Sequence, residues 1–241
     1  MNVIHKNQAL SRVTDRRELK IEQILDRAMA ILQSDGLDAL TLQRLAQALG
    51  LVTTAMYRYF PSKDALMAAL QRRSIRAISA HFQRELSRVA LGLTEAAPAT
   101  GCLATLLAVA ELYLALPSTH PEEWRFVATL LGDPRELVSD GEVAVTAPLL
   151  AGFLTEMERL FALAERVEAL SHGPARERVF AFWAALHGAH CMEKARRVSS
   201  TAPNVVEIGR FTSRALLSSW GATPARLAAA QRLAAISKGS V

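Results

Sequence analysis

Apolar side chains recur at intervals of three and four residues through most of this 241-residue sequence, and this periodicity constrains the fold more than any other feature. Leucine and alanine dominate, whereas the apolar/polar alternation that marks a half-buried strand is scarce. A helical period places such side chains on one face. The sequence therefore predicts an all-α fold, and the chain is long enough for two folding units.

Two short helices joined by a tight turn are predicted near the beginning of the chain. An apolar stripe starts at Ile21, and Gly36 is placed to end that first helix. Thr41 is a suitable cap for a second helix, which Gly50 ends. A third helix follows after only two or three residues. This arrangement is typical of a helix-turn-helix, whose second member usually enters the DNA major groove.

Proline and capping residues divide the remaining helical pattern. Pro61 cannot continue the third helix, and Ser62 is a good cap for a fourth helix over residues 63–89. The run 91–101 then separates this helix from everything after it. Later helices are expected near 101–116, 121–131, 142–171, 175–197, 204–219 and 224–236.

Positive charge is concentrated in the first third of the chain. Residues 1–88 hold 14 lysine and arginine residues against 8 aspartate and glutamate residues, whereas residues 89–241 hold 14 against 15. A surplus confined to one segment indicates a polyanionic partner for that segment. The basic side chains before the first helix, Arg12, Arg16, Arg17 and Lys20, either enter an adjacent DNA groove or belong to a disordered solubilising tail.

The segment from Ile24 to Leu66 resembles the N-terminal domain of TetR-family transcriptional regulators. It combines a helix, a glycine, a threonine-capped helix, Leu-Gly-Leu and a Tyr-x-Tyr-Phe-x-x-Lys signature. The resemblance implies an all-α homodimer that binds a palindromic operator and senses a small ligand through its C-terminal domain. The expected domains are a basic arm at 1–20, a DNA-binding domain at 21–66 with the connecting helix 63–89, and a ligand-binding and dimerisation domain at 90–241.

The resemblance also assigns DNA contacts. The base-facing positions are Thr53, Thr54 and Tyr57, together with Gln43. The positions near the DNA backbone are Ala55, Arg58 and Tyr59. The phosphate contacts are Thr41 and Lys63, and Arg44 is the last member of the DNA-binding set. Met56 and Phe60 are expected in the core. The alternative is a helical hairpin whose aromatic residues are core and whose charges are solvated, but it does not explain the tight turn, the capping threonine and the one-sided basic charge together.

The recognition segment departs from the family pattern in two ways. Val52 stands where a side-chain cap is common, so the first N–H groups of the third helix lack a side-chain acceptor. Thr54 and Ala55 replace a glycine and a threonine that are common in the family. Only Gln43 and Arg58 can make paired hydrogen bonds to bases, so specificity is expected to rest partly on apolar contacts and DNA shape.

The second domain is apolar, as suits a helical bundle around a hydrophobic cavity. Trp183 and His187 belong to a Trp-x-x-x-His-Gly helix that resembles one found in many family members. They either line a ligand pocket, or Trp183 fills core and His187 binds a neighbouring backbone carbonyl. The other candidate pocket walls are Trp124, Phe126, Phe153 and Met157, with plain core as the alternative.

Neither a metal site nor an enzyme is expected. His187 and Cys191 share a helix face, but His190 points about a third of a turn away and no second cluster completes four ligands. The sequence lacks a phosphate-binding glycine loop and a nucleophile elbow. No cofactor is expected.

The sequence thus predicts a repressor that leaves its DNA operator when a small apolar or amphipathic effector binds. The alternative is a DNA-binding dimer whose second domain only dimerises. The segment 204–219 with the segment 175–197 is the expected dimer interface, by family resemblance. The polar first 20 residues do not form a signal peptide, and no unbroken apolar run reaches the roughly 18 residues of a membrane span, so a cytoplasmic location is expected.

Overall fold

A computed structural model describes residues 3–133, 135–199 and 201–239, and these residues form ten α-helices and one 3₁₀ helix. The helices are α1 (Val3–Asp35), α2 (Leu42–Ala48), α3 (Thr53–Met56), α4 (Lys63–Gly92), α5 (Pro98–Thr119), α6 (Pro121–Gly132), α7 (Asp140–Arg166), α8 (Ala175–Cys191), the 3₁₀ helix Met192–Arg197, α9 (Val205–Ser219) and α10 (Pro224–Gly239). No strand occurs among the described residues, and the all-α class is confirmed.

The first helix is longer than its apolar stripe indicates. α1 begins at Val3 rather than at Ile21, because residues 3–20 contain neither glycine nor proline to interrupt it. Residues 3–20 of the predicted basic arm are therefore helical and continuous with the remainder of α1. The side chain of Arg12 lies outside the described residues.

The seventh helix ends earlier than predicted. α7 stops at Arg166 instead of residue 171, because Glu168 adopts the left-handed conformation with φ of 54°. The N–H of Ala169 then bonds to the carbonyl of Ala164 at 2.8 Å, which closes the helix end as a C-terminal cap does.

The chain forms two compact units. Unit 1 comprises Met1–Arg76 and Glu122–Pro148, and unit 2 comprises Ala77–Pro121 and Leu149–Val241. The sequence pattern assigned residues 122–148 to the second domain. They belong to unit 1 because Phe126, which is fully buried, packs within its apolar core.

The core of unit 1 joins α1, α2, the segment around α3, the start of α4 and α6. Its buried members are Ile24, Leu25, Ala28, Met29, Ile31, Leu32, Leu37, Leu40, Leu42, Leu45, Ala46, Met56, Phe60, Leu66, Met67, Leu70 and Phe126. Two ion pairs lie on the surface of unit 1. Arg73 pairs with Asp26 at 2.6 Å, and Arg135 pairs with Asp38 at 2.9 Å. Such exposed pairs contribute little stability, so the core holds the unit together.

In unit 2, α5 packs against α8, α9 and α10. Ten of its residues, from Cys102 to Leu116, are buried. By length and composition α5 could cross a membrane, with a mean hydropathy of 1.8, although 56% of that apolar stretch is buried inside the protein. A core helix of a soluble protein has the same character, so this feature is weak support for a membrane span.

Candidate nucleic-acid interface

Local backbone chemistry fixes the turn between α2 and α3. The Thr41 hydroxyl accepts a hydrogen bond from the N–H of Arg44 at 3.1 Å and caps α2, as predicted. Gly50 has a φ of 65°, a left-handed conformation that favours glycine. The next N–H, that of Leu51, bonds to the carbonyl of Ala46 at 2.9 Å and completes a Schellman motif.

α3 has one buried side and one open side. Met56 is fully buried and Phe60 is 5% exposed, so their predicted core positions are confirmed. Val52 is the N-cap and makes no side-chain cap bond, as its sequence position indicates. Backbone bonds from Tyr59 and Phe60 to the Met56 carbonyl extend the turn beyond α3, at 2.9 and 3.0 Å.

The predicted DNA-contacting side chains divide into exposed and half-buried groups. Thr41, Gln43, Arg44, Thr54, Tyr57 and Arg58 are exposed, and Thr53, Ala55, Tyr59 and Lys63 are partly buried. Tyr59 packs against the core of unit 1, so its ring has a structural role. Of the exposed residues, Thr54 lies in α3, and Tyr57 and Arg58 lie in the turn that follows it.

Three basic side chains near this surface make contacts within unit 1 that the sequence did not predict. The Lys63 ammonium donates to the carbonyl of Leu37 at 3.0 Å. Arg44 pairs with Asp35 at 2.5 Å. Arg17 reaches the carbonyl of Arg58 at 3.5 Å, which places the basic part of α1 beside the end of the α3 turn.

The predicted Trp183 and His187 pair in unit 2 meets a residue that sequence reasoning missed. The Trp183 indole donates to the Tyr113 hydroxyl at 2.9 Å, and that hydroxyl lies 2.9 Å from His187 Nδ1. His190 Nε2 lies 3.4 Å from the Tyr113 carbonyl. This network connects α5 and α8. It resembles the alternative in which Trp183 fills core and His187 binds a neighbouring backbone carbonyl, except that His187 binds a hydroxyl group instead.

Burial controls the protonation of this network. It raises the pKa of Tyr113 well above its ordinary range, so the phenol keeps its proton and can donate to His187. It also lowers the pKa values of His187 and His190. Neutral rings are therefore favoured at neutral pH, and accepting from Tyr113 would fix His187 in the tautomer that carries its proton on Nε2.

The remaining pocket candidates do not gather in one unit. Trp124 and Phe126 belong to unit 1, where Phe126 is core, whereas Phe153 and Met157 belong to unit 2. Phe153 contacts Phe82 edge-on with ring centroids 5.5 Å apart. A surface groove of about 450 Å³ in unit 2 is lined by Glu193, Arg196, Asn204, Val205, Val206, Glu207 and Arg210, none of them a predicted pocket residue.

Comparison with known sequences finds a family model that matches part of the chain. Residues 24–70 match the model of bacterial regulatory proteins of the tetR family. The matched segment is similar to this family, and it covers less than half of the chain. The matched residues contain α2, α3, the turn between them and every predicted DNA-contacting residue.

A curated relative matches a short segment of the chain. The chain is 44% identical over 50 residues to the nucleoid occlusion factor SlmA of Actinobacillus pleuropneumoniae serotype 5b, strain L20. The match spans 20% of the chain and 25% of that relative.

Solved structures share the fold along most of the chain. The TetR-family regulator PfmR from Thermus thermophilus has a TM-score of 0.54 at 20% identity, covering 81% of this chain and 97% of PfmR. A regulator-like protein from Saccharomonospora viridis, solved with choline, has a TM-score of 0.60 at 16% identity over 83% and 96% of the chains. RolR, solved with resorcinol, has a TM-score of 0.55 at 16% identity over 92% and 95%. At these identities the likeness shows the fold alone.

Proposed function

We propose that this chain is a cytoplasmic transcriptional repressor that binds a palindromic operator as a homodimer and is released by a small apolar or amphipathic ligand. The observation that carries the proposal is the arrangement of the α3 segment within the family-matched residues. Met56 and Phe60 hold it against the core, while Thr54, Tyr57 and Arg58 are exposed. Donors and acceptors on such an element can reach base edges in the major groove.

Dimerisation is supported by exposed apolar side chains on α8 and α9. Phe180 on α8 is 40% exposed and Phe211 on α9 is 66% exposed. Large aromatic residues are costly to leave in water and are enriched in protein interfaces. A dimer also presents two reading elements to a palindrome, since half-site symmetry mirrors the twofold symmetry of the protein.

An effector is supported by two fold neighbours that were solved with resorcinol and choline. In this chain α4 is one continuous helix with residues in both units, and its first residue is the predicted phosphate contact Lys63. An effector that prefers the conformation disfavoured by DNA would lower operator affinity by about 5- to 150-fold, the range of typical allosteric coupling.

Selection of binding sites from random-sequence duplexes tests the DNA-binding part. The expected winner is a palindrome whose half-sites are centred about 10 base pairs, or modestly more, apart. Enrichment of no sequence, or of a single asymmetric half-site bound by a monomer, would contradict the proposal.

Effector titrations with and without the selected operator separate the two candidate functions. Reciprocity requires the operator to weaken effector binding by the same factor as the effector weakens operator binding. A ligand bound in unit 2 with equal affinity in both titrations would favour the alternative, in which the second domain only dimerises.

A further inference from the structure

The long helix α4 carries a buried histidine with an unused hydrogen-bonding atom. His81 lies in unit 2 and is 9% exposed, and its Nε2 has no hydrogen-bond partner. Nearly all buried polar atoms in proteins have a partner, and one without it carries the full cost of its desolvation. A group from outside the chain can supply the missing partner.

Aromatic rings lie beside His81, and one of them meets a further ring of α7. The ring of His120, at the end of α5, lies 4.4 Å from that of His81 between centroids and is tilted by 49°. Phe82 is 2% exposed and meets Phe153 of α7 edge-on. Small-molecule sites typically combine apolar and aromatic walls with a few placed polar atoms, which is the composition found here.

The charges around His81 favour an uncharged ligand group. Burial lowers the pKa of His81, and His120, Arg84 and Arg88 shift it in the same direction, whereas Glu85 opposes them. The imidazole is thus neutral at neutral pH and does not offer the positive charge that a carboxylate needs. A metal ion is also disfavoured, because the described residues contain no cluster of three histidine, cysteine, aspartate or glutamate side chains.

We propose that His81 is the polar anchor of the effector site and that it binds a neutral aromatic compound through a hydroxyl group hydrogen-bonded to Nε2. The hydroxyl donates to Nε2, which is an acceptor in the tautomer that carries the ring proton on Nδ1. The aromatic body of the ligand packs beside the rings of His120, Phe82 and Phe153. The regulatory meaning of the site rests on the proposed function, whereas ligand binding itself does not.

Titration calorimetry of the full-length protein with 4-methylphenol and toluene tests the site, because the two probes differ by one hydroxyl. The wild type is expected to bind 4-methylphenol, and His81→Phe is expected to weaken that binding about tenfold, the effect of one lost hydrogen bond to a buried group. Toluene should bind both proteins alike. The matched control is His172→Phe, since the His172 side chain is 95% exposed, and it should bind both probes as the wild type does.

A second measurement uses only the wild type, in case His81→Phe does not fold. Protonation removes the acceptor at Nε2, so affinity for 4-methylphenol should fall as the pH drops through the lowered pKa of His81, while affinity for toluene stays constant. Absence of 4-methylphenol binding, equal binding by wild type and His81→Phe, or a flat pH profile would overturn the inference. None of these outcomes bears on operator binding, which is measured separately by site selection.

Discussion

Lys63 shows what single residues do in the family-matched segment. The sequence predicts a lysine at the start of α4 as a phosphate contact, and the structure adds a hydrogen bond of 3.0 Å to the carbonyl of Leu37. An ammonium group has three N–H donors, so this bond is compatible with a phosphate contact. The partner could not be predicted because it lies 26 residues away and is brought near only by packing.

Lys63→Ala is expected to weaken binding to all DNA sequences and to reduce the slope of log affinity against log salt by about one, because one phosphate contact is lost. It should also lower the free energy of unfolding by about 1 kcal/mol through the loss of the Leu37 bond. Salt-dependent binding titrations and urea unfolding measure the two effects.

Thr54→Ala is the matched control at the same scale, because Thr54 is exposed on α3 and is predicted to face bases. It should change the preferred base at one position of the operator and leave the salt slope unchanged. If Lys63→Ala altered base preference with an intact salt slope, the assigned roles of the two residues would be wrong.

The sequence predicts a helix boundary correctly where a capping side chain or a proline determines it. Thr41 caps α2 as predicted, and the Ser62 hydroxyl accepts from the N–H of Ala65 at the start of α4. The end of α7 was missed because Glu168 takes a left-handed conformation that glycine more often adopts. Contacts between helices, such as Tyr113 with Trp183 and His187, leave no signal in the sequence spacing.

Gly209→Ala tests the packing of α9 on α5. A Cβ added to Gly209 would collide with the methyl groups of Leu114, which is buried and 5% exposed. Overpacking a core typically costs about 1–3 kcal/mol, which exceeds the roughly 1 kcal/mol that alanine gains over glycine in a helix. Urea unfolding should show a net loss of stability.

The control for this change is Gly152→Ala on α7, where an added Cβ has no atom within 4 Å. Its helix propensity gain is unopposed, so the free energy of unfolding should rise or stay constant. A stabilised Gly209→Ala protein would show that α5 and α9 are packed less closely than the structure has them.

At the scale of the whole molecule, the exposed Phe211 tests the dimer. A charge in the centre of an apolar interface would be buried without a partner, so Phe211→Glu is expected to shift the protein from dimer to monomer at micromolar concentration. Sedimentation measures the change. Leu91→Glu is the control, since Leu91 is 74% exposed on α4 outside the proposed interface. If the Phe211→Glu and Leu91→Glu variants contained the same fraction of dimer, the interface would lie elsewhere.

Stability should also depend on pH through the buried histidines. Burial lowers the pKa values of His81, His187 and His190, so between their folded values and the ordinary value of 6.5 the unfolded chain binds more protons. The contribution of these three histidines to the free energy of unfolding is fully present above pH 6.5. It is lost as the pH falls through their lowered pKa values. The free energy of unfolding should therefore decrease from pH 7 to pH 5.

Urea unfolding at pH 8, 7, 6 and 5 measures this slope, and His187→Gln should make it shallower because one of the three groups no longer titrates. The pKa values of Asp133 and Glu165 are lowered from 3.8 and 4.5 by Arg135 and His172, so these groups titrate below pH 5. Stability that stays constant or rises between pH 7 and 5 would mean that the imidazoles are solvated, and the α5–α8 network would then not be buried as the structure has it.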